Sequence, residues 1–385
     1  MISPALFVVL CGFSGAEHVR STPNIVYILA DDLGYGDVRA VCPGAKLATP
    51  NLDKLAAAGM VFTDAHSGSA VCSPTRYGIL TGRYSWRSKL KSGVLGGYSR
   101  RLIEPGRLTV ASLLKQNSYN TACVGKWHLG MDWPLKEGGV ASDYPDAWKV
   151  DYAKPIMNGP MSVGFDTYFG ISASLDMPPY VFIKNDQSVG LPTVEKTWIR
   201  KGPAYVDFEA IDVLPMLTKE ANAFLDQQTK ATPFFLYLPL AAPHTPILPV
   251  DVWKGKSGIN IYGDFVMQVD AAIGQVLAKL DQTGLAENTL VIFTSDNGCA
   301  PNARIDELIA KGHHPSGPLR GHKADIFEGG HRVPMIVRWP GKVPPGTRSD
   351  RLVGLLDLMA TCAEVLGVPL ADDAGEDSVS MLPTR

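Results

Sequence analysis

The sequence predicts an α/β fold in which a large, mostly parallel β-sheet is sandwiched between helices. Two observations carry this prediction. Short apolar runs alternate with amphipathic stretches along the chain, the pattern of a parallel sheet covered on both faces. Within these runs the apolar residues are nearly continuous, as expected of strands buried on both sides. With 385 residues and 45% hydrophobic side chains, the chain is long enough for one large domain, alone or with a small appendage.

Composition and the N-terminus indicate the class of protein. A net charge of −2 gives no basic excess of the kind that tracks phosphates, so no nucleic-acid partner is expected. Residues 1–16 hold a short apolar run before Ser14-Gly15-Ala16, which is typical of a signal peptide and predicts a secreted or periplasmic protein. A cytosolic protein with an apolar end is the alternative. The run is shorter than the roughly 20 residues of a membrane span, so no span is expected.

The first predicted elements lead toward a cysteine. Residues 24–30 read as a buried strand that ends in Asp31 and Asp32. A helix capped by Thr49 follows and ends at Gly59, and residues 60–63 form a short strand. Two adjacent acids after a buried strand are costly to bring together unless a cation neutralises them, although a surface turn is the simpler reading of this pair alone.

Residues 71–83 contain the most unusual local sequence. Ser73 is predicted to cap a helix whose first residue is Pro74 and which Gly82 ends. Arg76 then lies in the first turn, where a cation opposes the helix dipole unless an anion is near. Cys72 faces the unpaired N–H groups of this helix start, a usual place to hold an anion. Taken alone, a buried structural cysteine is the simpler interpretation.

The remaining elements continue the alternation. Predicted helices cover residues 109–116, 213–228, 264–282 and 352–366, and predicted strands cover 121–124, 233–239, 289–295 and 333–339. Residues 131–201 lack periodicity and read as long loops over the sheet edge, where a substrate pocket would lie. Residues 371–385 form an acidic, weakly structured tail.

Polar residues follow four of the predicted buried strands. These residues are Asp31 and Asp32, then Lys126 and His128, then His244, then Asp296 and Asn297. The carboxyl ends of parallel strands share one edge of a sheet, so these side chains are expected to meet in one crevice. The carboxylate and amide oxygens among them are the ligands that Ca²⁺ or Mg²⁺ prefers.

The motif Cys72-x-Pro74-Thr75-Arg76, followed by Leu80-Thr81-Gly82-Arg83, resembles the signature of the type I sulfatases. The resemblance extends from Pro23 to Pro383 and implies the alkaline phosphatase/sulfatase fold, with residues 23–370 as the catalytic domain. Thr75 stands where the family usually has serine. Family members usually continue into a smaller domain with an antiparallel sheet; here that C-terminal subdomain is expected to be missing, and residues 371–385 would be its start.

In that family a separate formylglycine-generating enzyme oxidises the motif cysteine to Cα-formylglycine, whose hydrate is the nucleophile. The resemblance thus implies formylglycine at Cys72, with Arg76 supporting its hydrate and His128 assisting sulfate release. It implies that Lys126, Lys323 and His244 contact the sulfate, and it places Ser174 where the family often has a further hydroxyl. The implied ligands of Ca²⁺, with Mg²⁺ the lesser alternative, are Asp31, Asp32, Asp296, Asn297 and the modified Cys72.

The function implied is hydrolysis of sulfate esters, with a sulfated carbohydrate as the expected substrate. A phosphodiester or phosphonate monoester hydrolase on the same fold is the nearest alternative, because similar groups hold any tetrahedral anion. An inactive sulfoglycan-binding protein is the non-enzymatic alternative, in the case that Cys72 is never modified.

Overall fold

A computed structural model describes residues 22–382 of the protein. The predicted signal peptide, residues 1–16, lies outside these residues. Across residues 22–382, no helix has both the length and the apolar character needed to cross a membrane.

The described residues form strands and helices in alternation. The strands are β1 (Asn24–Ala30), β2 (Met60–Phe62), β3 (Ala65–His66), β4 (Asn120–Lys126), β5 (Thr167–Ile171), β6 (Phe182–Lys184), β7 (Gln187–Val189), β8 (Val194–Trp198), β9 (Arg200–Ala204), β10 (Phe234–Pro239), β11 (Thr289–Ser295), β12 (Met335–Arg338), β13 (Thr347–Ser349) and β14 (Val353–Gly354). The α-helices are α1 (Pro50–Ala57), α2 (Cys72–Thr81), α3 (Val110–Gln116), α4 (Val213–Asp226), α5 (Ile261–Gln282), α6 (Ile305–Ala310), α7 (Glu328–His331) and α8 (Leu358–Leu366).

One ten-stranded sheet organises the chain, in the order β13-β2-β12-β11-β1-β10-β4-β5-β6-β7. Its centre, from β11 to β5, is parallel throughout. Antiparallel pairs occur on both sides of this centre, where β12 joins β11 and where β6 joins β5. The predicted α/β fold with a mostly parallel sheet is therefore confirmed.

Helices cover both faces of the sheet. In β1, Ile25, Tyr27 and Leu29 point into one apolar core, and the alternate residues of the strand point into the other. The first core is completed by α2, α3 and α8, and the second by α1, α4 and α5. Burial on both faces explains why the central strands read as continuous apolar runs.

Three predictions about helix starts are wrong. Helix α5 begins at Ile261 and not at residue 264, because Asn260 caps it. Helix α2 begins at Cys72 with Val71 as its N-cap, and the hydroxyl of Ser73 accepts a hydrogen bond from Leu95 N at 3.1 Å instead of capping. Arg76 therefore follows the first turn. Helix α8 begins at Leu358 and not at Leu352, because the segment before it pairs with β3 as β14 and then forms a short 3₁₀ turn.

The region 131–201 is not only loops. It supplies β5, which joins the parallel centre of the sheet, and β6 and β7, which extend its edge. Strand β8 pairs with β9 in a separate two-stranded sheet. Most of these strands have three to five residues, too few for a periodic pattern to stand out in the sequence.

The C-terminal residues are irregular but attached. From 371 to 382 the chain has no helix or strand. Asp377 accepts two hydrogen bonds from the guanidinium of Arg87, both at 2.7 Å, and Glu376 pairs with Arg83 at 3.0 Å. These contacts dock the segment beyond the C-terminal end of α2.

Candidate active site

The strands β1, β4, β10 and β11 end at the same edge of the sheet. Ala30 lies opposite Ser295 of β11, and Leu29 lies opposite Pro239 of β10. The residues that leave these strands therefore begin side by side, and direct contacts join Asp31, Asp32, Lys126, His244, Asp296 and Asn297. The convergence that the sequence predicts is observed.

Asp31 is fully buried between cations. Its two carboxylate oxygens accept hydrogen bonds from Lys126 Nζ at 2.9 and 2.7 Å, and Arg76 Nη2 lies 3.4 Å from Oδ1. The thiol of Cys72 donates to the same oxygen at 3.7 Å. Burial alone would raise the pKa of Asp31, but the nearby positive charges, Lys126 foremost, hold its pKa well below the usual value.

Arg76 holds Asp296 through two nitrogens on one edge of its guanidinium. Its Nε and Nη2 both donate to Asp296 Oδ2, at 3.1 and 2.8 Å, and its Nη1 donates to the carbonyl of Lys126 at 2.9 Å. Burial and then the charge of Asp31 raise the pKa of Asp296 to about 6, although Arg76 opposes that rise. The carboxylates of Asp296 and Asp31 thus neutralise the charge of Arg76. This ion pairing explains how α2 tolerates a buried arginine.

Asp32 links the remaining groups. Lys323 Nζ lies 2.7 Å from Oδ1 and 2.8 Å from Oδ2, and Asn297 Nδ2 donates to Oδ1 at 2.7 Å. His244 Nε2 lies 3.5 Å from Oδ2, while Asp32 N donates to Asp296 Oδ1 at 3.2 Å. Lys323, which comes from a loop distant in the chain, thereby belongs to the cluster.

The donor set fits a hard divalent cation. Asp31, Asp32, Cys72 and His244 each offer a ligand atom, and these atoms all lie within 4.8 Å of one another. Asn297 Oδ1 is buried and has no hydrogen-bond partner among residues 22–382. An amide oxygen left unpaired beside two carboxylates is the kind of ligand Ca²⁺ takes. His244 belongs to this compact group, although the sequence assigns it to the sulfate.

Two histidines each present a ring nitrogen that carries no proton. His128 Nε2 donates to Leu95 O at 2.7 Å, so its buried Nδ1 carries a lone pair, and this atom has no partner in the described chain. Burial, then Lys126 and Arg76, hold the pKa of His128 well below its usual value. His244 likewise uses Nδ1 on Thr245 O, at 2.5 Å, and burial lowers its pKa. Both rings are therefore neutral proton acceptors.

Cys72 and Ser174 are buried and make few polar contacts. Burial raises the pKa of the Cys72 thiol to about 12 despite the nearby lysines, so it is protonated at neutral pH and a poor nucleophile. The hydroxyl of Ser174 is buried without a hydrogen-bond partner in residues 22–382, and no hydrogen bond joins it to the carboxylate cluster.

Asp37, Tyr262 and His313 support the site and were assigned no role from the sequence. Asp37 Oδ2 accepts from Tyr262 Oη at 2.5 Å and from Gly34 N at 2.7 Å, and Oδ1 contacts His313 Nε2 at 2.8 Å. The Tyr262 hydroxyl also lies 3.2 Å from the carbonyl of Asp32. This network fixes the turn that carries Asp32, and its members come from distant segments that share no local motif.

Comparisons with known proteins group this chain with one family. Residues 23–368 match the sequence model of the family described as Sulfatase. An N-acetylgalactosamine-6-O-sulfatase of Bacteroides thetaiotaomicron is 36% identical over 94% of this chain and 76% of its own length. Human N-acetylgalactosamine-6-sulfatase is 31% identical over 96% of this chain and 67% of its own. A structure solved in work on glycosaminoglycan metabolism by Bacteroides thetaiotaomicron superposes with a TM-score of 0.83 and 34% identity, covering 94% of this chain and 81% of that one.

Proposed function

From the premise that this chain belongs to the sulfatase family and is an enzyme that hydrolyses sulfate esters, we propose that its substrates are sulfated carbohydrates and that it works with Ca²⁺ and a formylglycine derived from Cys72. The carbohydrate preference is supported by the relatives named as N-acetylgalactosamine 6-sulfatases. Sugars carrying a 6-O-sulfo-N-acetylgalactosamine unit are therefore the first substrates to test.

The observation that carries the proposal is the position of Cys72. Its side chain is buried 3.7 Å from Asp31, inside a cluster of carboxylates and cations, and its thiol is protonated. A group at the centre of such a cluster is well placed to act as a nucleophile on a bound anion. The protonated thiol, however, is a poor nucleophile. Conversion to formylglycine resolves this conflict, since a hydrated aldehyde offers a hydroxyl nucleophile where the thiol stood.

The acidic and basic neighbours of Cys72 have different roles: the acidic ones bind the metal ion and the basic ones bind the sulfate. Asp31, Asp32 and Asn297, with Asp296 beside them, would hold Ca²⁺, which supplies a Lewis acid for the sulfate oxygens. Lys126 and Lys323 provide ammonium groups that bind the anion and stabilise charge in the transition state.

Proton transfers fall to the two neutral histidines. His128 presents a free Nδ1 lone pair and His244 presents Nε2 toward the cluster. A ring can accept the proton that the hydroxyl at position 72 gives up, and the imidazolium formed in this way can donate that proton to the leaving oxygen.

Mass spectrometry of the peptide that contains residue 72 tests the modification. Protein made with a formylglycine-generating enzyme should contain a residue lighter than cysteine that reacts as an aldehyde. Cys72→Ala should abolish hydrolysis of a 6-O-sulfated substrate. The matched control Cys362→Ala removes an equally buried thiol from α8 and should keep turnover.

Three results would overturn the proposal: an unmodified thiol in active protein, full activity in Cys72→Ala, or faster cleavage of a phosphonate monoester than of any sulfate ester. Export is part of the same proposal and rests on the apolar run within residues 1–16. N-terminal sequencing of the mature protein should then begin at Glu17, and an intact Met1 would contradict export by this signal.

A further inference from the structure

A second group of metal-ligating side chains lies outside the carboxylate cluster. His66 at the end of β3 and His331 at the end of α7 face each other, with their Nδ1 atoms 3.1 Å apart. Glu328 joins them, and one ligand atom from each of the three lies within 4.8 Å of the others. Both rings are half-buried and the carboxylate is exposed, so the group is open to solvent on one side.

The partners of the two rings fix where their protons are. His66 Nε2 lies 3.0 Å from Asp64 Oδ1, and His331 Nε2 lies 3.0 Å from the carbonyl of Ile326. A carboxylate and a carbonyl can only accept, so each Nε2 carries a proton, and in the neutral form of each ring Nδ1 carries a lone pair. With both rings neutral, two lone pairs point at each other across 3.1 Å, an arrangement that a proton or a metal ion between them would relieve.

We propose that His66, His331 and Glu328 bind a divalent transition-metal ion of the zinc type, with water as the fourth ligand. Zn–N bonds of about 2.0–2.1 Å in tetrahedral geometry place two ligand nitrogens roughly 3.3 Å apart. The observed 3.1 Å is close to that separation, so little movement is needed. Imidazole ligands favour zinc, nickel or copper over calcium and magnesium, which separates this site from the carboxylate cluster by metal preference.

The surroundings of the site have the features that orient metal ligands. Histidines bound to metals usually donate their other N–H to a carboxylate or a carbonyl, as both rings do here. Asp64 and Glu328 bring two negative charges, and Arg332 is the cation paired with both, at 3.2 and 3.3 Å. A divalent ion would offset the remaining negative charge.

The two ligand segments are already fixed to each other. Ser67 N donates to the carbonyl of His331 at 2.8 Å, and Val333 N donates to the carbonyl of Ala65 at 2.9 Å. The segment that contains His66 leads to Cys72, and the segment that contains His331 comes shortly after Lys323 in the sequence. A bound ion would therefore tie together the two connections that deliver these residues to the active site, and it would stabilise the fold. This inference does not depend on the proposed function.

Zinc titration of the full chain, with calcium saturating, tests the proposal. Calorimetry should show one zinc ion bound and a higher melting temperature. X-ray absorption at the zinc edge should show nitrogen and oxygen neighbours at about 2.0–2.1 Å and no sulfur shell near about 2.3 Å. His66→Gln and His331→Gln should each weaken zinc binding at least about tenfold. The exposed histidine variant His314→Gln is the matched control and should bind as the parent does.

Several outcomes would overturn it. Absence of zinc binding by the parent protein would mean that a shared proton, not a metal, joins the two rings. A sulfur shell would place the zinc at a cysteine, and unchanged affinity in His331→Gln would place it elsewhere. If the histidine variants fail to fold, Asp64→Asn keeps all three ligands and removes only the carboxylate that orients His66. That variant should still weaken zinc binding, and unchanged affinity there would contradict the orienting role on which the site is argued.

Discussion

Replacing Arg76 with methionine should cost a large part of the stability of the protein. The substitution keeps a long apolar stem and removes a fully buried guanidinium that contacts Asp296 at 2.8 Å and Asp31 at 3.4 Å. Breaking a buried ion pair by removing one partner costs about 3–5 kcal/mol, because the remaining charge is left without compensation. Two carboxylates lose a partner here, so we expect the upper part of that range.

The loss converts to a temperature shift. An unfolding entropy of about 2.1 cal/mol/K per residue over 385 residues gives roughly 0.8 kcal/mol/K. The melting temperature of Arg76→Met should therefore fall by about 5–6 °C. Differential scanning calorimetry with calcium chelated measures this shift without any contribution from metal binding. Arg39→Met is the matched control, because its pair with Asp53 is exposed and worth at most about 1 kcal/mol.

A second substitution tests the cause. In Arg76→Met/Asp296→Asn the carboxylate that lost its partner is also neutral, so at least about 1–2 kcal/mol of the loss should return. A double variant that is as unstable as the sum of the two single variants would refute the reasoning. Arg76 would then stabilise the protein by packing, and not by neutralising Asp296.

Three further outcomes follow from the contacts. Calcium affinity should rise as pH increases from 5 to 7, because a carboxylate must lose its proton to bind metal and burial raises the pKa of Asp296 to about 6. Calorimetry that shows the same calcium affinity at pH 5 and pH 7 would contradict this. Asp37→Asn should lower stability by about 1–3 kcal/mol and weaken calcium binding, because the N–H₂ of the new amide would face a donor such as His313 Nε2–H. An unchanged melting temperature would contradict this. Asp377→Ala should speed proteolysis of the C-terminal segment by removing both bonds to Arg87, whereas an unchanged cleavage rate would show that other contacts hold it.

The meeting of the strand ends could be predicted because it depends only on topology. Once residues 24–30, 233–239 and 289–295 are recognised as parallel neighbours, Asp31, His244 and Asp296 must share an edge whatever their rotamers. The pairing within the cluster depends on side-chain geometry at the scale of an ångström. The family resemblance implies that Arg76 supports the hydrate at position 72, but the sequence gives no sign that its guanidinium contacts Asp296 and the carbonyl of Lys126.

Other features of the fold and the site have no recognisable pattern in the local sequence. Asp37 could be seen only as part of a glycine-rich turn, because Tyr262 and His313, which give it a role, lie far along the chain. Strands β6 and β7 have three residues each, so pairing and not intrinsic preference creates them. Ser73 fits a capping pattern, yet a tertiary contact with residue 95 takes its hydroxyl.

The charges of the cluster also separate positioning residues from substrate-binding residues. The shortest ion pair of each carboxylate is to a different cation: Asp31 contacts Lys126, Asp32 contacts Lys323 and Asp296 contacts Arg76, which also lies 3.4 Å from Asp31. The planar fork of Arg76 is held by three hydrogen bonds, whereas a lysine ammonium is a point charge on a flexible stem. A divalent ion that neutralised the carboxylates would free the lysines to turn toward an incoming ester, whereas the hydrogen bonds of Arg76 would still hold it. The side chain of Lys323 is 17% exposed and that of Lys126 is fully buried, so we expect Lys323 to meet the sulfate first.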